Sequence, residues 1–188
     1  MITWSYRAGV AALCLLGLTG CEPGQGGFLG AAPNMALSEA RMADGTVTLV
    51  PPRGFCIDRK SLGQRFALLA RCDKLGAPSA AADAPLGIIT VSISEAAAEQ
   101  GLPSAPQTAA AFGLSNLSAL SETPSRVIFR AVGEAPVDGM APLHWRGTAR
   151  LGDKFMGLAL YGPENGRVLT GEGRRILDEL IDGSGAGS

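Results

Sequence analysis

From Leu143 to Leu151 the residues alternate strictly, with His144, Arg146, Thr148 and Arg150 on one side and Trp145, Gly147, Ala149 and Leu151 on the other. Period two marks an extended strand, because successive side chains point to opposite faces of the sheet. Gly152-Asp153 follows as a two-residue hairpin signal, and residues 154–161 return as KFMGLALY, apolar on both faces. Together they predict an antiparallel hairpin whose first strand buries one face and whose second is interior to a sheet.

Other strands are readable upstream. TVTLV at 46–50 is a β-branched run stopped by Pro51-Pro52, and Gly54-Phe55-Cys56-Ile57 resumes the extended pattern. FALLAR at 66–71 is a further strand, and GIITVSI at 87–93 is continuous and β-branched, which predicts a central one. Arg126 to Val132 alternates in part. Between these, Ser92-x-x-Glu95 has the form of a capping box and predicts a short helix ending at Gly101. Thr108 to Phe112 suits another helical turn, and residues 115–125 read as a connection. From Leu169 onward the period changes: Gly173, Ile176, Leu177, Leu180 and Ile181 make an apolar stripe that must lie on the sheet. Strands followed by a closing helix predict an α+β fold, an antiparallel sheet with helices packed on one face.

The N-terminal segment gives an address. Arg7 is the one side-chain charge before the run AGVAALCLLGLTG at 8–20, which is too short to span a bilayer that needs about 20 apolar residues. Leu18-Thr19-Gly20-Cys21 closes that run and resembles the lipobox of bacterial lipoproteins, in which the cysteine is acylated and becomes the first mature residue. The resemblance implies a signal peptide at 1–20 and a lipid, of the palmitate type, on Cys21, so that the membrane is a partner through that lipid. Localisation follows as the bacterial cell envelope, facing the periplasm. Gly, Ala and Pro dominate residues 21–45, which read as a flexible tether, ahead of a single domain at 46–184 and a flexible tail at 185–188.

With Cys14 removed and Cys21 acylated, the lipoprotein resemblance leaves Cys56 and Cys72 to pair as a disulfide in an oxidising compartment. A two-thiolate metal or redox site is the alternative, against which stand the absence of CxxC spacing and the distance to the one histidine, His144. The order of Pro51-Pro52-x-Gly54-Phe55, a long strand before a helical insertion, a late hairpin and a closing helix is similar to the PsbP-like domains of some envelope lipoproteins over about residues 45–184. That resemblance implies a sheet covered by helices and carries over no catalytic residue. Asp73-Lys74-Leu75-Gly76 resembles the DKTGT loop of cation-transporting ATPases, but Leu75 and Ala77 replace its threonines and the chain is too small for such an enzyme. A charged turn is the reading there.

Net charge is −1, one unit more negative once Arg7 is removed, so the basic excess that nucleic-acid binding requires is missing. No nucleic-acid partner is expected. Any triad or His-ligated metal must run through His144, without G-x-S-x-G or H-E-x-x-H to support it, and neither cofactor nor metal is expected. Arg126, Arg130, Arg146 and Arg150, four apart within their strands and sharing a face in each, form a basic field with His144 if the two strands are neighbours in the sheet. That candidate patch suits an anion or an envelope protein partner. No residue is assigned a catalytic role. The resulting expectation is a non-enzymatic interaction or assembly module, against a small-ligand binder using the cleft between sheet and helices, or a small hydrolase using His144.

Overall fold

The structure, a computed structural model, describes residues 36–78, 83–97 and 99–187. The expected signal peptide, Cys21 and the tether up to residue 35 lie outside them. In chain order the elements are β1 (Ala36–Leu37), β2 (Ala40–Met42), β3 (Val47–Leu49), β4 (Phe55–Asp58), β5 (Phe66–Arg71), β6 (Ile88–Glu95), α1 (Ala105–Phe112), β7 (Ser115–Glu122), β8 (Arg126–Val132), β9 (Leu143–Leu151), β10 (Lys154–Tyr161), α2 (Gly171–Gly183) and β11 (Gly185–Ala186).

Among the described residues, the hairpin of β9 and β10 sits inside an eight-stranded antiparallel sheet of order β1-β4-β5-β6-β10-β9-β8-β7, and β11, β3 and β2 form a smaller sheet. The fold is α+β, as the sequence predicts. β10 is flanked by β6 and β9, which accounts for its two apolar faces. The helix α2 starts at Thr170, whose hydroxyl accepts from the Glu172 amide, and it buries Gly173, Ile176, Leu177, Leu180 and Ile181. This stripe packs with Ile89, Val91, Met156, Leu160 and Trp145 in the main core.

The two helices take opposite faces, which corrects the expectation of one. Ile128 of β8 belongs to the core under α2, whereas its neighbours Val127, Phe129 and Ala131 pack with Ala105 of α1 on the other side. Both faces of β9 are consequently covered, and its supposed solvent side is not solvated. His144, Thr148 and Trp145 are all buried.

Three local expectations also change. The short helix expected to end at Gly101 is absent among the described residues, because Ser92 to Glu95 continue in the ladder with β10. A capping box does occur farther on: the Ser104 hydroxyl accepts from the Gln107 amide and Gln107 Oε1 accepts from the Ser104 amide, opening α1. Residues 115–122 are an edge strand rather than a connection, with two register shifts against β8 and positive φ at Asn116 and Ala119. β1 and β2 fall within the expected tether and β11 within the expected tail, so both ranges hold residues that are in strands. Met42 of β2 is fully buried.

Cys56 of β4 is bonded to Cys72, which follows β5, with a Cα–Cα distance of 4.9 Å. The bridge ties two adjacent strands at one end of the sheet and packs against Ala36. A loop of this length is worth roughly 3 kcal/mol through the unfolded chain. No helix among the described residues is long and apolar enough to cross a membrane.

Candidate functional site

Register decides where the basic residues of β8 and β9 go. Arg126 faces Ala149 and Arg130 faces Trp145 across the ladder, so both stand on the α2 side; His144 faces Ala131 and Arg146 faces Phe129, which puts them and Arg150 on the α1 side. The expected field of five is therefore split by the sheet. Side chains alternate along a strand, and a register offset of odd size sends two sets of residues to opposite faces.

On the α2 side both arginines are committed to the fold. Arg126 donates to Asp178 at 3.1 Å and to Asp182, and these hydrogen bonds, Asp182 first, raise its pKa further above the usual value. Arg130 donates from Nη1 to the Leu169 carbonyl at 2.9 Å and lies 5.5 Å over the Trp145 ring. On the α1 side, Arg150 stacks 4.8 Å over Phe155 and donates to the carbonyls of Gly152 and Gln100.

Arg146 bonds to neutral side chains instead. Its Nε donates to His144 Nε2 at 2.9 Å and its Nη2 to the Tyr161 hydroxyl at 2.9 Å. Like Arg130 and Arg150 it takes part in none of the ion pairs among the described residues, and its Nη1 finds no protein acceptor among them. Burial lowers its pKa, but a guanidinium stays charged at any physiological pH. Arg146 is half-buried, and its partial desolvation without a counter-charge carries a cost. Here neutral acceptors and the faces of Phe112 at 5.0 Å and Tyr161 at 5.7 Å offset part of that cost.

His144 has no exposed surface. Since a guanidinium only donates, Nε2 must be the acceptor, which leaves the proton on Nδ1 to bond the Pro142 carbonyl at 2.8 Å. The ring also stacks on Tyr161, centroids 4.6 Å apart. Both nitrogens are occupied. Desolvation first, and then the charge of Arg146, push its pKa below the ordinary value near 6.5.

A pH dependence follows. Below about pH 6.5 the unfolded chain binds a proton that the folded His144 refuses, so the unfolded state holds more protons and stability falls as pH falls. The loss continues until the folded residue also titrates. Thermal unfolding at pH 7.5 and pH 5.5 should show a larger drop in the wild type than in His144→Gln. Equal drops in the two proteins would contradict this account of His144.

Arg146 opens onto a cavity of about 190 Å³ between α1 and the sheet, lined also by Thr90, Ser92, Thr108, Phe112 and Thr148. Sequence reasoning missed these hydroxyls. The signal was present, because Thr90, Ser92 and Ser94 recur at period two within a run read only as β-branched. Thr108 is 9% exposed, and its buried hydroxyl has no hydrogen-bond partner among the described residues. Ser92 donates to the Gly157 carbonyl at 3.3 Å. The hollow beside Arg53, Arg167 and Glu179 is charged as well, but there Arg167 is paired with Glu172 and Glu179 accepts from the Arg53 amide.

The Asp73 segment, expected as a turn, is a short 3-10 helix over Cys72–Leu75, where Arg71 donates to both carboxylate oxygens of Asp73 at 2.9 Å, which holds that carboxyl below its usual range. Among the described residues no three His, Cys, Asp or Glu side chains converge as metal ligands. Cys21 lies outside those residues.

No protein-family model matches the chain, and no curated protein matches it. Solved structures do share its fold. A Mog1 point mutant superposes with a TM-score of 0.51 at 12% identity, over 78% of this chain and 93% of that one. The Saccharomyces cerevisiae Ran-binding protein Mog1p superposes with a TM-score of 0.50 at 11% identity, over 80% and 95% of the two chains. At such identity the likeness is one of fold.

Proposed function

We propose that this chain is a lipid-anchored protein of the bacterial cell envelope, held by acyl chains on Cys21 and facing the periplasm, whose α+β domain is a non-enzymatic interaction or assembly module. The observation that carries the second half is the occupation of His144. Both ring nitrogens are spent inside the protein and the ring is fully buried, so a hydrolase built on that imidazole has no base to offer. The anchor rests on Leu18-Thr19-Gly20-Cys21 and the short apolar run before it.

Protein recognition on this fold has a precedent in the Ran-binding Mog1p. Both solved structures named above are Mog1 proteins, and the reading takes nothing from the PsbP-like resemblance. A second reading, small-ligand binding, is favoured by the cavity in which Arg146 stands without a counter-charge. Cross-linking in intact cells followed by mass spectrometry tests the module reading. A reproducible envelope partner is the expected result; recovery of the uncross-linked chain alone across replicate linker lengths would contradict it.

A further inference from the structure

Residues 100–121 contain no Asp, Glu, Lys, Arg or His, in a chain of which 18% is charged. The stretch comprises α1, most of β7 and their flanks, and most of it is exposed. A surface segment of that length ordinarily carries charge, and depletion of charged residues is the compositional mark of an interface core. The segment also holds Phe112, Leu117 and Leu120, which with Phe66 are four of the six exposed large hydrophobics among the described residues.

These side chains share one side of the sheet. Ser115, Ser118 and Ser121 oppose Val132, Arg130 and Ile128, positions on the α2 side, while Leu114 packs with Phe129 and Ala131 on the α1 side. The triplet Leu-Ser-x recurs at 114, 117 and 120 in step with the two register shifts, so Leu117 and Leu120 follow Leu114. β5 adds an independent observation. Its Ala67 and Leu69 lie in the core under α2, so Phe66, Leu68 and Ala70 form a second apolar row on the α1 side. A strand apolar on both faces is normally covered on both, yet α1 packs on β7 and β8 and leaves this row half-buried or exposed. Thr90 and Ser92 of the neighbouring β6 connect the row to Phe112 across the cavity.

Charge decides what covers this face. Near a two-fold axis each residue meets its own copy, so a charge there faces its like, and self-docking requires a face without them. Arg146 and Arg150, the arginines on this side, lie over Phe112 and Phe155. An anionic bilayer would instead require Lys or Arg around the apolar residues, and the segment has neither. Asn116 and Ala119, at positive φ, interrupt β7, so the contact runs through side chains rather than by extending the ladder. A stable interface takes ~20–30 residues a side, which residues 100–121 with the rows of β5 and β6 supply. We propose that the α1 side is a homodimer interface, in which a second copy of this chain packs on Phe66, Phe112, Leu117 and Leu120. The inference names a partner for the interaction module and rests on that reading, not on the anchor.

Sedimentation equilibrium of the full chain in density-matched detergent tests it. The wild type should pass from monomer to dimer between about 1 and 100 µM. Leu120→Asp and Phe66→Asp alter exposed positions and should keep the wild-type circular dichroism. Each should weaken dimerisation at least about tenfold, because the dimer would bury the new carboxylate unpaired; if one variant does not fold, the other decides. Leu86→Asp is the matched control: Leu86 is exposed to a similar degree but lies beside Arg167, just ahead of α2, and its dimer should be as strong as the wild type's. A wild-type monomer throughout that range, unchanged dimerisation in a folded Leu120→Asp or Phe66→Asp, or an equal loss in Leu86→Asp would overturn the interface. A monomeric chain that still captures an envelope protein in the cross-linking experiment would overturn self-association alone and leave the module reading standing.

Discussion

Gly173→Ala should destabilise the domain by more than about 3 kcal/mol, a large share of the ~5–15 kcal/mol that holds a domain of this size together. A Cβ at Gly173 would stand 1.8 Å from the Val168 carbonyl oxygen and 2.5 Å from Trp145 Nε1. Neither neighbour can yield. Val168 is fully buried backbone in the turn before α2, and the Trp145 indole is pinned by its bond to the Thr170 carbonyl at 3.1 Å and by Arg130 above it. Relief would require α2 to lift from the sheet, exposing Ile176, Leu177, Leu180 and Ile181. Gly171→Ala is the matched control, since a Cβ there meets nothing within 4 Å and alanine is the better helix former. Urea unfolding followed by circular dichroism should place Gly173→Ala far below the wild type and Gly171→Ala beside it. Coincident midpoints for the two variants would show that the close fit of α2 on Trp145 is not what holds the helix.

The parts of this fold that were legible in the sequence are those whose burial imposes a period. β9 shows it in the alternation of its residue types, while β10 is read from its unbroken apolar run, down to the bounds Leu143–Leu151 and Lys154–Tyr161. The stripe of α2 shows it too. β7 was illegible for the opposite reason: as an edge strand it is largely exposed, and SNLSALSE has no face that must be apolar. β2 and β11, of three and two residues, are too short for any period to register. Ser92 and Ser104 show why the capping motif alone does not place a helix: β10 claims the first for the ladder, and Pro106 in the first turn favours a helix at the second.

The site was harder to read for a related reason. Which face Arg126 and Arg130 share with Arg146 and Arg150 depends on the register of β8 against β9, and no tight hairpin joins those strands to fix it in advance. Arg146 could not be told from Arg150 by residue type. What separates them is that Arg150 finds backbone carbonyls, whereas Arg146 finds a neutral histidine and a tyrosine.

The envelope anchor carries the second large expected effect. A single acyl chain binds membranes only marginally at about 0.8 kcal/mol per buried CH₂, while two or three make attachment effectively permanent. Serine has no thiol to accept the lipid, and the apolar run at 8–20 falls well short of the about 20 residues that span a bilayer. Among the described residues no helix offers a substitute. On the proposed anchoring, Cys21→Ser should therefore shift the protein from the membrane to the soluble fraction in a single step, leaving the domain folded, because Cys21 precedes the first strand among the described residues, at Ala36.

Fractionating cells that carry the wild type and Cys21→Ser, with immunodetection of both fractions, tests the lipid-held module most directly. The account predicts the wild type in the membrane pellet and Cys21→Ser in the soluble fraction; a Cys21→Ser protein that stays in the pellet would contradict it.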